Sequence, residues 1–256
     1  MALQPGRALA RARPPPRCPP PPHPRRQRPY TTDGATPPSF RIPEPPTAAS
    51  SPPRWSQTPA GMRAPIQLDF AKSPLNKVWA VNNSPAKLDD MYNRLLGAGG
   101  SKMLPEELKW LAVTHKSFDQ GRRGFNDRLA LMGRLTLVME ATKEIVSKAP
   151  LEGSRQTDEF GRRPFEHEQL AAVDNLNVQG PKDVAGKEKL YGFAKNMGLL
   201  DVVRWKPRLP RNLESSGVQV VLNGAVMAII GAVTLQHGSV VASKVVRERI
   251  LARLPS

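Results

Sequence analysis

Leu111-Ala112-Val113-Thr114-His115-Lys116-Ser117-Phe118 and, seven residues later, Asn126-Asp127-Arg128-Leu129-Ala130-Leu131-Met132-Gly133-Arg134-Leu135 decide how this chain of 256 residues is read. In the second stretch Asn126 is placed to cap a helix, and Asp127 suits the positive end of its dipole. Leu129, Met132, Leu135, Thr136 and Met139 then fall on one side, which predicts a helix reaching about Lys148. Before the first stretch, Pro105, Glu106 and Glu107 suit a helix start. That helix runs toward Phe118 with Leu108, Leu111, Ala112 and His115 as its inner stripe.

Helical spacing continues on both sides. Leu88, Met91, Leu95 and Leu96 predict a helix stopped by Gly97, Gly99 and Gly100. Further helices are expected over Phe165 to Asn175 and Lys187 to Met197, the latter ended by Gly198. No stretch alternates with period two, so the fold class is all-α. The apolar run Val218 to Leu235 is long enough to suggest a membrane span. Gln219, Asn223 and Gln236 interrupt it, however, and Gly217, Gly224, Gly231 and Gly238 recur every seven residues as a small-residue stripe. A central buried helix without a membrane span is the reading, followed by an amphipathic helix, Ser239 to Leu254, with Lys244, Arg247 and Arg249 outward.

The first 60 residues differ in kind, holding 18 of the 28 prolines and nine arginines against only Asp33 and Glu44. Such an acid-poor, Arg-rich start has the composition of a mitochondrial transit peptide or of a disordered basic arm that binds RNA. The chain divides into residues 1–60 as this segment, 61–87 as an extended lead-in anchored by Ile66, Leu68, Phe70, Leu75, Val78 and Trp79, and 88–256 as a helical domain. Its formal charge is +16, of which +9 remains beyond residue 60. That excess favours a polyanion, nucleic acid before an anionic membrane. The single cysteine, Cys18, excludes an internal disulfide and a cysteine zinc cage.

Motifs for chemistry are lacking. His167-Glu168 has no second histidine one turn on, and Gly186-Lys187-Glu188 lacks both the upstream glycine and the hydroxyl residue of a phosphate loop.

Together the two opening stretches resemble the ribonuclease III domain. In that family the first block reads close to Thr-His-Lys-Ser plus an aromatic, and the second Asn-Glu-Arg-Leu-Glu-Phe-Leu-Gly-Asp. Here Asn126, Arg128, Leu129 and Gly133 match, with Asp127 as a shortened acid. Lys187 to Leu200 is similar to the helix and Gly-Leu end that follow, and Val221 to Val233 to the family's last helix. The resemblance spans about residues 88 to 253 and implies a ribonuclease III endonuclease-domain-like helical fold.

It also implies where a metal site would stand. Family enzymes hold magnesium with four carboxylates, and the matching positions here are Ala130, Arg134, Gly224 and Met227. None is a ligand. A cation at Arg134 would cost a divalent ion about 8 kcal/mol at 4 Å and an effective dielectric near 20. Asp127 alone cannot hold it. The expectation is a pseudoenzyme without metal or cofactor.

With the charge and the amino terminus added, the chain is similar to ribonuclease-III-like proteins of the fungal mitochondrial large ribosomal subunit. This implies mitochondrial rRNA and other large-subunit proteins as partners. A diverged double-stranded-RNA endonuclease and a non-ribosomal RNA-binding regulator are the alternatives. Arg204-Trp205-Lys206-Pro207-Arg208-Leu209-Pro210-Arg211 sets four cations around one aromatic, suited to lie along phosphates with Trp205 stacking, or else to form a loop with Trp205 in the core. The family's dimer contact uses a phenylalanine where Leu131 stands. The resemblance thus implies a heterodimer with a second ribonuclease-III-like protein, unless Leu131 is ordinary core.

Overall fold

The structure, a computed structural model, describes residues 54–58, 79–155, 159–162, 165 and 167–255. The expectations for residues 1–53, and for the lead-in over 59–78, lie outside them. All described residues fall within one unit, Ser50–Ser256. They are helical. Among them the one ladder contact is an isolated parallel bridge between Thr114 and Arg204.

Helix α1 is Pro85–Leu96, and its start is set locally. The Ser84 amide donates to Asn82 Oδ1 at 3.0 Å, and Pro85 supplies a first-turn φ at no hydrogen-bond cost. Leu88, Met91, Leu95 and Leu96 form the buried face, as their spacing predicts, and Tyr92 joins them. Helix α2, Glu106–Ala112, is shorter than expected: it stops six residues before Phe118, and Trp110 and Ala112 are buried while Leu108 and Leu111 are only half-buried. The backbone beyond it has other partners. His115 N–H donates to Arg204 C=O at 2.9 Å, and Arg204 N–H to Val113 C=O at 2.8 Å.

Helix α3, Asp127–Val146, lies against α7, Val218–Val245, which is the central helix of the unit. The face of α3 differs from expectation. Its buried residues are Leu129, Gly133, Leu137, Glu140, Ala141 and Ile145, while Leu135 and Met139 point outward. Gly133 decides this orientation, because a Cβ there would fall 1.7 Å from the Met227 carbonyl oxygen. Glu140 reinforces it by accepting from Ser243 Oγ at 2.9 Å and Lys143 Nζ at 2.8 Å, with Arg247 Nε at 3.3 Å. Burial pushes the Glu140 carboxyl up, but those hydrogen bonds and the two cations outweigh it and hold it below its usual range.

Asn126 is not a side-chain cap. It is buried, and its Nδ2 donates to Ala112 C=O at 3.0 Å, while its own N–H reaches Thr114 C=O at 3.0 Å. It thus ties the start of α3 to the end of α2. The helix expected over Phe165 to Asn175 is instead two 3₁₀ turns, Glu168–Leu170 and Val173–Asn177. Asn175 is turned inward there. Its Nδ2 donates to Ile145 and Ala149 carbonyls at 3.2 and 3.1 Å, and Leu151 N–H donates to its Oδ1 at 2.8 Å. The carboxyl end of α3 is satisfied in this way.

Two short helices, α4 (Pro181–Val184) and α6 (Leu199–Val202), flank α5, Lys187–Asn196, beyond which Gly198 takes φ +76. In α7, Val221, Leu222, Ala225, Val226 and Ala228 to Val233 are all buried. The helical segment Val218–Arg253 contains an 18-residue window apolar enough to cross a membrane, yet 67% of that window is buried within the protein. Of the glycine stripe only Gly231 meets another helix; a Cβ on Gly217, Gly224 or Gly238 would touch nothing. Gly238 instead breaks the helix with φ +82 and ψ 172, which separates the apolar rod from the amphipathic end. In that end Lys244 and Arg247 are outward, but Arg249 turns its guanidinium onto Gly97.

Candidate functional site

The positions where the resemblance places metal ligands lie along the α3–α7 seam. Gly133 sits on the Met227 carbonyl, with Ala130 and Arg134 beside it on α3 and Gly224 three residues before Met227 on α7. Ala130, Gly224 and Met227 are half-buried and Arg134 is exposed. Their side chains offer a methyl, a guanidinium, a hydrogen and a thioether. Asp127, the one carboxylate of the set, is exposed and pairs with Lys116 at 3.4 Å. A hard divalent ion needs several oxygens, so these residues do not fit one. Among the described residues no group of three or more His, Asp or Glu is placed to hold a metal.

The first block holds the chain together instead. Thr114 Oγ1 donates to Trp110 C=O at 2.7 Å, and Ser117 Oγ accepts Lys206 N–H at 3.0 Å while lying 2.9 Å from His115 Nδ1. Ser117 N–H also donates to that nitrogen, so it carries no proton. Burial holds His115 below the usual imidazole range; Asp127 opposes this and Lys116 adds to it. The histidine is a neutral acceptor within a turn.

The basic segment is corrected by the structure. Arg204 and Trp205 are each 2% exposed, so neither forms part of an extended phosphate-binding stretch on the surface, and Arg204 reaches only the wall of a pocket. Arg204 packs its guanidinium 3.7 Å from the Trp110 ring centroid and 4.9 Å from that of Trp55, and these two rings stack at 4.6 Å. Its Nε donates to Asn82 C=O at 3.3 Å and its Nη2 to Asn83 Oδ1 at 3.1 Å. Trp205 meets Trp79 edge-on at 6.0 Å. Lys206 is half-buried, and only Arg208 and Arg211 are open to solvent. The bridge to Thr114 explains the difference, since it draws residue 204 into the interior.

Sequence reasoning missed Trp55. It lies in the proline-rich stretch assigned to residues 1–60, yet with Thr58 it packs onto the helical unit. Arg123 fastens it by donating to the Trp55 and Ser56 carbonyls at 3.4 and 3.0 Å and to Thr58 Oγ1 at 3.1 Å. Nothing in local composition marks this; a tryptophan amid prolines was the one available signal.

Leu131 is 63% exposed, which excludes it as core of this unit. Leu135, Val138 and Met139 share its outward face and are also exposed, with Met132 at the edge. An apolar strip therefore runs along α3 opposite the seam with α7.

Residues 105–254 match the family described as ribonuclease-III-like. The large ribosomal subunit protein mL57 of Neurospora crassa is 51% identical over 203 residues, 79% of this chain and 76% of that protein. The nuclease domain of ribonuclease III from Campylobacter jejuni is similar at 18% identity and a TM-score of 0.44, covering 68% of this chain and 99% of that one. With a family match over more than half its length and a relative of this identity, the chain belongs to the ribonuclease-III-like family.

Proposed function

We propose that this protein is a structural component of the mitochondrial large ribosomal subunit, a ribonuclease-III-like domain that acts by binding rather than by cleavage. The observation that carries the reading is the 51% identity, over most of both chains, to a protein named for the large ribosomal subunit. The α3–α7 seam supports it from the chemical side, because Ala130, Arg134, Gly224 and Met227 supply no metal-binding oxygen. Arg208 and Arg211 are the exposed cations of the basic segment and suit rRNA phosphates. The strip Leu131, Leu135, Val138 and Met139 suits a second ribonuclease-III-like protein as partner in a heterodimer. Residues upstream of Arg54 serve as a mitochondrial presequence or basic arm.

Affinity capture of the tagged chain from mitochondria tests this. Large-subunit proteins and rRNA should be recovered in near-stoichiometric amounts. A capture dominated by free protein that cleaves double-stranded RNA with magnesium would contradict it.

A further inference from the structure

Beside the Arg204 cage the protein has a pocket of about 380 Å³, lined chiefly by Trp55, Val81, Asn83, Phe118, Arg123 and Arg204. The volume is at the small end for ligand sites, which run about 300–1,000 Å³, and suits one small molecule or one residue of a polymer. Its wall chemistry is of two kinds. Trp55 and Phe118 present aromatic surface, and Arg123 and Arg204 bring two guanidinium cations to it.

The cations are not neutralised alike. Arg123 shares Asp119 with Arg122, whereas Arg204 has only the Asn82 carbonyl and the Asn83 amide, with no carboxylate in ion-pair reach among the described residues. Burial first, and then the nearby charge of Arg123, together lower Arg204 to about 10, so it stays charged at neutral pH while repelling its neighbour. A bound anion would relieve both. Trp55 adds an unmet need of its own, since its indole N–H is buried without an acceptor among the described residues. An occupant with an aromatic face and a negative charge matches the aromatic walls and the two cations.

We propose that this pocket binds one unpaired RNA nucleotide, with its base against Trp55 and Phe118, its phosphate on Arg123 and Arg204, and Asn83 at the rim. Stacking on aromatic side chains and charge-assisted contacts from arginine are how single-stranded nucleotides are held. The site deepens the RNA-contacting reading given above and rests on it for the source of the nucleotide, because a free mononucleotide shares the chemistry.

Titration of tryptophan fluorescence of the full chain tests the proposal, with AMP, UMP, inorganic phosphate, a single-stranded RNA pentamer and a blunt RNA duplex as probes. Saturable quenching by the pentamer and the mononucleotides is expected, with the pentamer tighter. Mononucleotide binding without pentamer binding would assign the pocket to a free metabolite and overturn the RNA source. Asn83→Asp places a carboxylate beside Arg204 and should lower nucleotide affinity about tenfold, as loss of one charge-assisted contact does. Arg123→Gln should weaken it similarly, but it also releases the Trp55 segment, so Asn83→Asp, at an exposed position, is the decisive variant. Absence of saturable quenching, or an Asn83→Asp protein that binds as well as the parent, overturns the site. A protein that binds no nucleotide yet travels with the large subunit loses this inference alone.

Discussion

Gly133 and Gly231 face each other across α3 and α7, so close that a Cβ on Gly133 would lie 2.7 Å from the Gly231 nitrogen and one on Gly231 2.1 Å from the Leu129 carbonyl oxygen. The obstacles are backbone atoms, which cannot swing aside. Gly133→Ala or Gly231→Ala should therefore force the two helices apart and destabilise the protein by about 3 kcal/mol, the upper part of the range for overpacked cores. Chemical denaturation measures the loss; Gly224→Ala, with open space at its Cβ inside α7, should instead stabilise by up to about 1 kcal/mol.

His115 gives stability a dependence on pH whose sign follows from its folded environment. Its folded pKa is lowered, chiefly by burial, so the neutral ring is favoured in the native state. The unfolded chain then binds more protons below about pH 6.5, and this contribution is fully present above that value. It is lost as pH falls through the folded pKa. His115→Gln can still accept the Ser117 N–H, so its denaturation midpoint should fall less than that of the parent between pH 7.5 and 5.5.

Trp55 predicts where processing must stop. Stacking on Trp110 and contact with Arg204 should make Trp55→Ala cost about 2 kcal/mol, combining an aromatic pair with a desolvated cation–π contact. A mature chain that kept the fold but began after Thr58 would forgo that cage. Amino-terminal sequencing of the protein from mitochondria should find a start upstream of Trp55. A start beyond residue 58 would refute the assignment.

Leu131→Asp separates partner binding from folding. Leu131 is largely solvent-exposed in this unit, so the change should alter the stability of the isolated protein by no more than about 0.5 kcal/mol. In extracts the same variant should lose its ribonuclease-III-like partner, because a charge would be buried at the contact. Unfolding of the isolated variant, or retention of the partner, would remove α3 from the interface.

How far the sequence reveals this molecule depends on whether local pattern or distant contact sets each feature. Helices α1 and α5 are legible, since Leu88 to Leu96 keep a strict stripe and Gly198 stops α5. The buried face of α3 is not. Apolar residues occupy two of its sides, and the choice is made by Gly133 against Met227 and by Glu140 against Ser243, on a helix about a hundred residues away. The same holds for Arg204 and Trp205, whose neighbours look like an extended surface stretch. Their burial depends on Thr114, Trp110 and Trp55, which only the fold brings near. That Ala130, Arg134, Gly224 and Met227 answer to the family's ligand positions rests on the motif alone, which fixes those positions residue by residue.

Sedimentation of the native chain from mitochondrial extract, with and without magnesium-chelating dissociation of the ribosome, tests the central claim most directly. The account predicts that the chain travels with the intact ribosome and, after dissociation, wholly with the large subunit, and that no fraction containing it cleaves double-stranded RNA through this chain. A chain that stays at the top of the gradient and shows metal-dependent cleavage abolished by Asp127→Asn would contradict it.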